Sequence, residues 1–324
     1  MDTNAIFNIQ TANDFLETAL AVFRFQYANN SVYKKFCDLL GKTPMQVNTL
    51  EDIPFLPIQF FKSHPVLSSA QPEEILFTSS GTTGNTTSKH YVTDLEIYRK
   101  SFRKGFSYFY GNVEEYTILA LLPAYLEREG SSLIYMVNDM IDQSKMPESG
   151  FYLHNLEELA QQLKALEAAG RKTLLIGVSF ALLDLVEQYD FTLKNTIVME
   201  TGGMKGRRKE MIRAELHTEL KKGFGLQHIH SEYGMTELLS QAYSKGRGVF
   251  DCPPWMKILI RDPEDALSLL SDGKSGGVNV IDLANVNSCS FIATQDLGRI
   301  KDKSFEIIGR FDNSDIRGCN LMVL

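Results

Sequence analysis

Cysteine is scarce in this sequence, and its placement excludes chemistry that depends on grouped sulfur. Cys37, Cys252, Cys289 and Cys319 stand singly, with no Cys-x-x-Cys among them. Neither a disulfide framework nor a zinc site is therefore expected. His228 and His230 add only a His-x-His pair. No apolar run is long enough to span a bilayer, and Met1-Asp2-Thr3-Asn4 lacks the basic start and apolar stretch of a signal peptide. The expectation is a cytoplasmic protein with no membrane span. Basic residues are also in deficit: 33 Lys and Arg stand against 40 Asp and Glu, and the one dense basic cluster runs from Lys205 to Lys209. That balance argues against nucleic acid as the main partner, while leaving room for a nucleotide, which needs only a local positive patch.

What is present is core-forming. A chain of 324 residues with 44% hydrophobic and 10% aromatic content can bury a large interior, so disorder is excluded. Phe15, Leu16, Ala19, Leu20, Phe23 and Phe25 recur at near-helical spacing and predict an opening helix between Ala12 and Phe36. Pro54, Pro57 and Pro65 then favour extended segments, and Glu74 to Thr78 reads as a strand. Strand and helix alternate beyond it: Thr117 to Leu122 and Ser131 to Met136, Thr173 to Phe180 and Leu182 to Tyr189, Thr196 to Glu200 and Lys209 to Lys222. This alternation predicts an α/β fold of layered, mainly parallel sheets flanked by helices. After about Lys245 the texture changes to short β-like runs at Lys257 to Arg261, Val278 to Leu283, Ser290 to Thr294 and Phe305 to Ile308. The expected division is a core over residues 1–244 and a small C-terminal β subdomain with a terminal arm over 245–324.

Four stretches carry chemistry when taken in order. The loop Thr78-Ser79-Ser80-Gly81-Thr82-Thr83-Gly84 has two glycines that permit tight bending and several hydroxyls that can donate to phosphate oxygens, with Lys89 placing a charge beyond it. No Gly-Lys-Ser/Thr follows, so it is not a Walker loop. Taken alone, the loop reads equally well as a flexible surface turn. Glu200-Thr201-Gly202-Gly203 follows an apolar strand, and its paired glycines would let backbone approach a flat base. A strand predicted at Gln227 to His230 runs into Ser231-Glu232-Tyr233-Gly234-Met235-Thr236-Glu237, at the carboxyl end where ligands of open α/β sheets gather. There Tyr233 offers a face for adenine, Thr236 a hydroxyl for the α-phosphate, and Glu237 a carboxylate for magnesium. The plainer reading of this stretch is a helix start with Thr236 and Glu237 in its first turn. Asp296 can accept both hydroxyls of a ribose, and Arg310 can donate to the ribose or a phosphate oxygen.

In this order the stretches resemble the phosphate loop, the adenine and magnesium motif and the ribose motifs of the adenylate-forming enzymes. From about Glu74 onward the chain is most similar to the acyl-protein synthetase family of the bacterial luciferase fatty-acid reductase system. Leu121-Leu122-Pro123-Ala124-Tyr125-Leu126-Glu127-Arg128-Glu129-Gly130-Ser131-Ser132-Leu133 resembles that family's aromatic motif near the acyl pocket, and Gly309 to Leu324 its terminal segment. The resemblance implies ATP and Mg2+ as cofactors, activation of a fatty acid as the acyl-AMP, and transfer of the acyl group to an enzyme cysteine. It also implies a partner: an acyl carrier, an acyltransferase or a reductase subunit. By position Cys319 is the implied acceptor, and Arg317 and Gly318 would favour its thiolate and a bend. About 24 Å of extended chain separates it from Asp312, enough for a terminal arm to reach a site.

Standard adenylate-forming enzymes continue after the Gly309-Arg310 counterpart into a lid domain whose lysine stabilises developing charge; here no separate lid domain is expected. Removing such a donor slows chemistry by roughly two to three orders of magnitude. Lys89, the Lys205 to Arg208 cluster or a partner's lysine is expected to compensate, or adenylation to be slow. Two rival readings stay open: an acyl- or aryl-CoA ligase that uses coenzyme A, and a non-catalytic nucleotide-binding subunit of an acyl-transfer complex.

Overall fold

In the computed structural model, residues 3–79, 87–122, 130–153, 155–202 and 211–311 are described. The first long helix, Ala12–Asn29, begins with a capping box: Thr11 Oγ1 accepts from the Asp14 amide, and the Asp14 carboxylate accepts from the Thr11 amide. It does not run on to Phe36 as the apolar spacing predicts. Asn30 turns extended, its side chain accepts from the Tyr33 amide, and a second helix, Ser31–Leu39, starts there. Two consecutive apolar faces at helical spacing look like one in sequence. A single Asn between them carries the break.

Residues 72–253 form one compact unit. Its main sheet has the order Gly150–Tyr152, Thr117–Leu121, Thr173–Val178, Thr196–Thr201, His230–Tyr233, Ala242–Ser244. The first five strands run parallel, and the last pairs antiparallel with His230–Tyr233. Thr117–Leu121 and Thr173–Val178 are buried at every position, the pattern of strands covered on both faces. Parallel pairing requires crossovers, supplied by the helices Ser132–Ser144, Leu156–Ala168, Ser179–Gln188 and Arg213–Phe224. A separate hairpin, Ile75–Thr78 with Lys89–Val92, belongs to the same unit. The predicted α/β class and the parallel sheet are present as expected.

The other unit joins both ends of the chain, residues 1–71 and 254–324. Its antiparallel strands Met256–Arg261, Ser275–Asp282, Phe291–Lys301 and Ser304–Arg310 pair in sequence order, and the two-residue strand Leu56–Pro57 adds to Phe291–Lys301 in parallel. These units divide the chain differently from one cut at 244/245. The physical link is polar: buried Gln26, on the first long helix, donates to the carbonyls of Asn285 (3.1 Å) and Val286 (2.9 Å) and accepts from the Ser290 amide (3.0 Å). Tyr33 and Phe23 pack their rings on Phe291 beside it. A side-chain amide satisfied across some 260 residues leaves no signature in local composition.

Candidate functional site

The hairpin Ile75–Thr78/Lys89–Val92 carries the glycine loop at its turn. Its base is closed by two bonds, from the Ser79 amide to the Ser88 carbonyl (3.1 Å) and from the Ser88 amide to Ser79 Oγ (2.8 Å). Thr78 pairs with Lys89 across the hairpin, and its amide also donates to the Gly130 carbonyl (2.8 Å). Gly130 has φ +77°, and a Cβ there would lie 3.0 Å from the Leu76 carbonyl, so glycine is needed for this approach. Lys89 is exposed at the loop's exit. Ser80, Gly81, Thr82, Thr83 and Gly84 lie outside the described residues.

The next two motifs stand side by side because their strands are parallel neighbours, with Glu200 registered on Ser231 and Thr201 on Glu232. The strand is His230–Tyr233 rather than Gln227 to His230, so Ser231, Glu232 and Tyr233 are strand residues and Gly234 to Glu237 lie just past its carboxyl end. No helix starts there: a turn closes from the Leu238 amide to the Met235 carbonyl (3.1 Å). The helix-start reading of Thr236 and Glu237 is thereby corrected. The chain leaves the strand through Gly234, where a Cβ would fall 2.4 Å from Glu232 Oε1. Tyr233 is 8% exposed and meets Phe250 edge-on at 5.9 Å; Glu237 is 5% exposed.

Two carboxylates in this stretch, Glu200 and Glu232, stand in different electrostatic settings. Burial works to raise the Glu200 pKa, but a bond to His217, the Arg213 charge (Nε 3.2 Å from Oε1) and the Ser231 hydroxyl together bring it below its ordinary value. Glu232, on the other face of the sheet, is the opposite case. Its enclosed carboxyl is pushed up to about 7 by burial, with the charge of Glu200 adding to the effect and the Thr201 hydroxyl (2.6 Å) opposing it. His230 is held down at about 4 by burial and by the charge of Lys245.

Two bonds fix the segment past the strand. His90 Nδ1 lies 2.8 Å from the Thr236 carbonyl, and Ser101 Oγ lies 3.0 Å from Ser240 Oγ. A carbonyl only accepts, so His90 is the Nδ1–H tautomer. His90 gave no signal in sequence, since it is a single histidine in an alternating strand. Gly202 takes φ +68°, and its carbonyl accepts from Ser179 Oγ (2.9 Å). Gly203 and the Lys205 to Lys209 cluster lie outside the described residues, as does the terminal segment with Cys319.

On the other unit, Asp296 and Arg310 face each other in register on neighbouring strands, Arg310 Nε standing 3.6 Å from Asp296 Oδ1. The two ribose candidates are therefore brought together. Among the described residues no three His, Cys, Asp or Glu side chains are grouped to hold a metal ion, and no helix is long and apolar enough to cross a membrane.

Comparison with known proteins gives a consistent picture. The family model described as acyl-protein synthetase, LuxE, matches residues 8–121 and 141–324. A curated relative from Vibrio harveyi, named long-chain-fatty-acid--luciferin-component ligase, is 24% identical, covering 92% of this chain and 84% of its own. Its namesake from Aliivibrio fischeri is also 24% identical over 92% of this chain and 85% of its own. Among solved structures, 2-hydroxyisobutyryl-CoA ligase in complex with 2-HIB-AMP and CoA matches with a TM-score of 0.69 at 13% identity, over 93% of this chain and 70% of that one. ATP-bound MatB from Rhodopseudomonas palustris matches with a TM-score of 0.56 at 18% identity, over 75% of this chain, and the match spans about half (48%) of its own length. At these identities the structures establish a shared fold.

Proposed function

The chain belongs to the acyl-protein synthetase family LuxE, and on that premise we propose that it activates a long-chain fatty acid with ATP and passes the acyl group to a protein thiol. In the first step a carboxylate oxygen attacks the α-phosphorus, the bond to the bridging oxygen breaks, and pyrophosphate leaves with the electron pair. In the second a thiolate attacks the acyl carbon, the bond to the adenylate oxygen breaks, and AMP leaves. Cys319 is the thiol that the resemblance designates. The fatty acid follows from the names of the Vibrio and Aliivibrio relatives.

The observation that supports this reading most is the convergence of three elements within one unit. The phosphate-loop hairpin is tied through His90 to Thr236, Thr236 adjoins the buried carboxylate of Glu237, and both follow a strand paired to Thr196–Thr201, which leads into Gly202. In this reading Ser79 to Gly84 and Lys89 bind the phosphates, Gly202, Gly203 and Glu232 to Met235 form the adenine wall, and Thr236 meets the α-phosphate. Asp296 and Arg310 hold the ribose. One buried carboxylate suits magnesium, which keeps most of its oxygen ligands from phosphate and water, so Glu237 is the side chain that would hold it. When bound, the ion would neutralise phosphate charge. The thioester product suits a reductase or acyltransferase partner in the cytoplasm.

The test is exchange of labelled pyrophosphate into ATP, dependent on a long-chain fatty acid. Exchange is expected with Mg-ATP and without coenzyme A. Exchange that yields product only with coenzyme A would favour a CoA ligase, and ATP binding without exchange at any chain length would favour a non-catalytic subunit.

A further inference from the structure

Arg261 is 9% exposed and belongs to none of the motifs described above. Its surroundings coincide with an irregularity in the sheet that carries Asp296. Between the register pairs Gly277 with Leu297 and Asn279 with Ala293, a single residue, Val278, faces three: Thr294, Gln295 and Asp296. A bulge of this size disrupts the ladder, leaves main-chain groups in need of other partners and re-aims the side chains within it.

The guanidinium of Arg261 supplies those partners. Nη1 donates to the Val278 carbonyl (2.8 Å) and to Asn279 Oδ1 (2.9 Å), and Nη2 donates to the Thr294 carbonyl (2.5 Å). The fork thus spans both sides of the bulge, with donors in a fixed plane that a lysine lacks. Gly277 makes room, since a Cβ there would stand 2.5 Å from Arg261 Cζ. The rest of the bulge is held in sequence. Thr294 Oγ1 donates to the Val278 carbonyl (2.9 Å) and accepts from the Asp296 amide (3.1 Å), while the Gln295 carbonyl accepts from the Phe311 amide (2.7 Å). The Phe311 ring in turn lies 5.5 Å from the Arg261 guanidinium, next to Arg310 in the chain.

We propose that Arg261 is a positioning residue for ribose recognition: by holding the bulge open it presents the Asp296 carboxylate, and through Phe311 it holds Arg310 opposite. This inference rests on the adenylation reading and adds to it the residue that sets the sugar specificity of the nucleotide site. The guanidinium of Arg261 contacts the bulge and Phe311, so its loss is expected to appear as lost discrimination between sugars rather than as a slower chemical step.

The experiment compares ATP with 3′-deoxy-ATP in fatty-acid-dependent pyrophosphate exchange. A hydrogen bond to a charged carboxylate predicts that the wild-type protein prefers ATP by about tenfold or more in kcat/KM. In Arg261→Met the preference is expected to fall to about threefold or less, through a raised KM for ATP with kcat nearly retained, as the change spreads from the disordered bulge to the Asp296 carboxylate. Asp296→Asn is expected to lose the preference in the same way. A folded Arg261→Met protein that keeps the wild-type preference overturns the inference and leaves the adenylation reading standing. If Arg261→Met does not fold, Arg261→Lys carries the test, because it keeps the charge and loses the planar fork that spans the bulge: a collapsed preference supports the assignment, and an intact one overturns it. A wild-type protein that neither exchanges pyrophosphate nor binds ATP overturns the adenylation reading, and this inference with it.

Discussion

The Nδ1–H of His90 donates to the main-chain carbonyl of Thr236 over 2.8 Å, and His90 is 1% exposed. One bond therefore joins the strand that leaves the candidate phosphate loop to the segment that carries the α-phosphate and magnesium candidates. Buried and aimed at main chain, it fixes the relative position of the two segments.

Removing it in His90→Ala is expected to lower fatty-acid-dependent exchange by about 3–10-fold, in line with the roughly 0.5–1.5 kcal/mol of a neutral hydrogen bond. His90→Asn, whose amide can donate from a similar place, is expected to recover part of the loss. Equal activity in all three proteins would show that the two segments hold their geometry without this bond.

Glu237→Ala is expected to abolish acyl-AMP formation and to remove the magnesium dependence of ATP binding, measured by calorimetry with and without the ion. Full activity in that variant would exclude the metal role assigned to Glu237.

The raised pKa of Glu232 gives stability a pH dependence. Its ordinary value is 4.5 and its folded value about 7, set first by burial. Below pH 4.5 both states hold the proton; between about 4.5 and 7 the unfolded chain has released it and the folded chain has not. The group's contribution therefore falls as pH rises through that window. Glu232→Gln, which cannot ionise, is expected to gain stability relative to wild type on going from pH 5 to pH 8, on the order of 2–3 kcal/mol. Urea denaturation at several pH values measures it, and a difference that does not vary with pH would contradict the assignment.

Gln26→Leu is expected to destabilise the unit formed by the two ends of the chain by about 1–3 kcal/mol. The Asn285 and Val286 carbonyls are buried and would lose their donor. Thermal melting checks this, and an unchanged melting temperature would mean that the apolar contacts around Phe291 suffice.

The alternation of strand and helix was legible because parallel strands buried on both faces, such as Thr173–Val178, read as continuous apolar runs. Glu232, Tyr233, Thr236 and Glu237 could be placed near a strand's carboxyl end from the order of the motifs and the alternation around them, not from an apolar run of their own. The strand was misplaced by three residues because Ser231 and Glu232 are polar, their side chains being satisfied by His217 and Thr201 and not by apolar packing. Neither His90 nor Arg261 could be recognised, since each acts on main-chain carbonyls far away in sequence. The pairing of the N-terminal helices with the C-terminal strands was hidden likewise, resting on Gln26 and on the aromatic cluster of Phe23, Tyr33 and Phe291.

The account's central claim is acyl transfer from an adenylate to a protein thiol, and its most direct test is incubation with Mg-ATP and a labelled long-chain fatty acid, comparing wild type with Cys319→Ser. The account predicts ATP-dependent label on the wild-type protein that hydroxylamine releases and that the variant lacks. Label of equal amount on the variant, or no label on either protein, would contradict it.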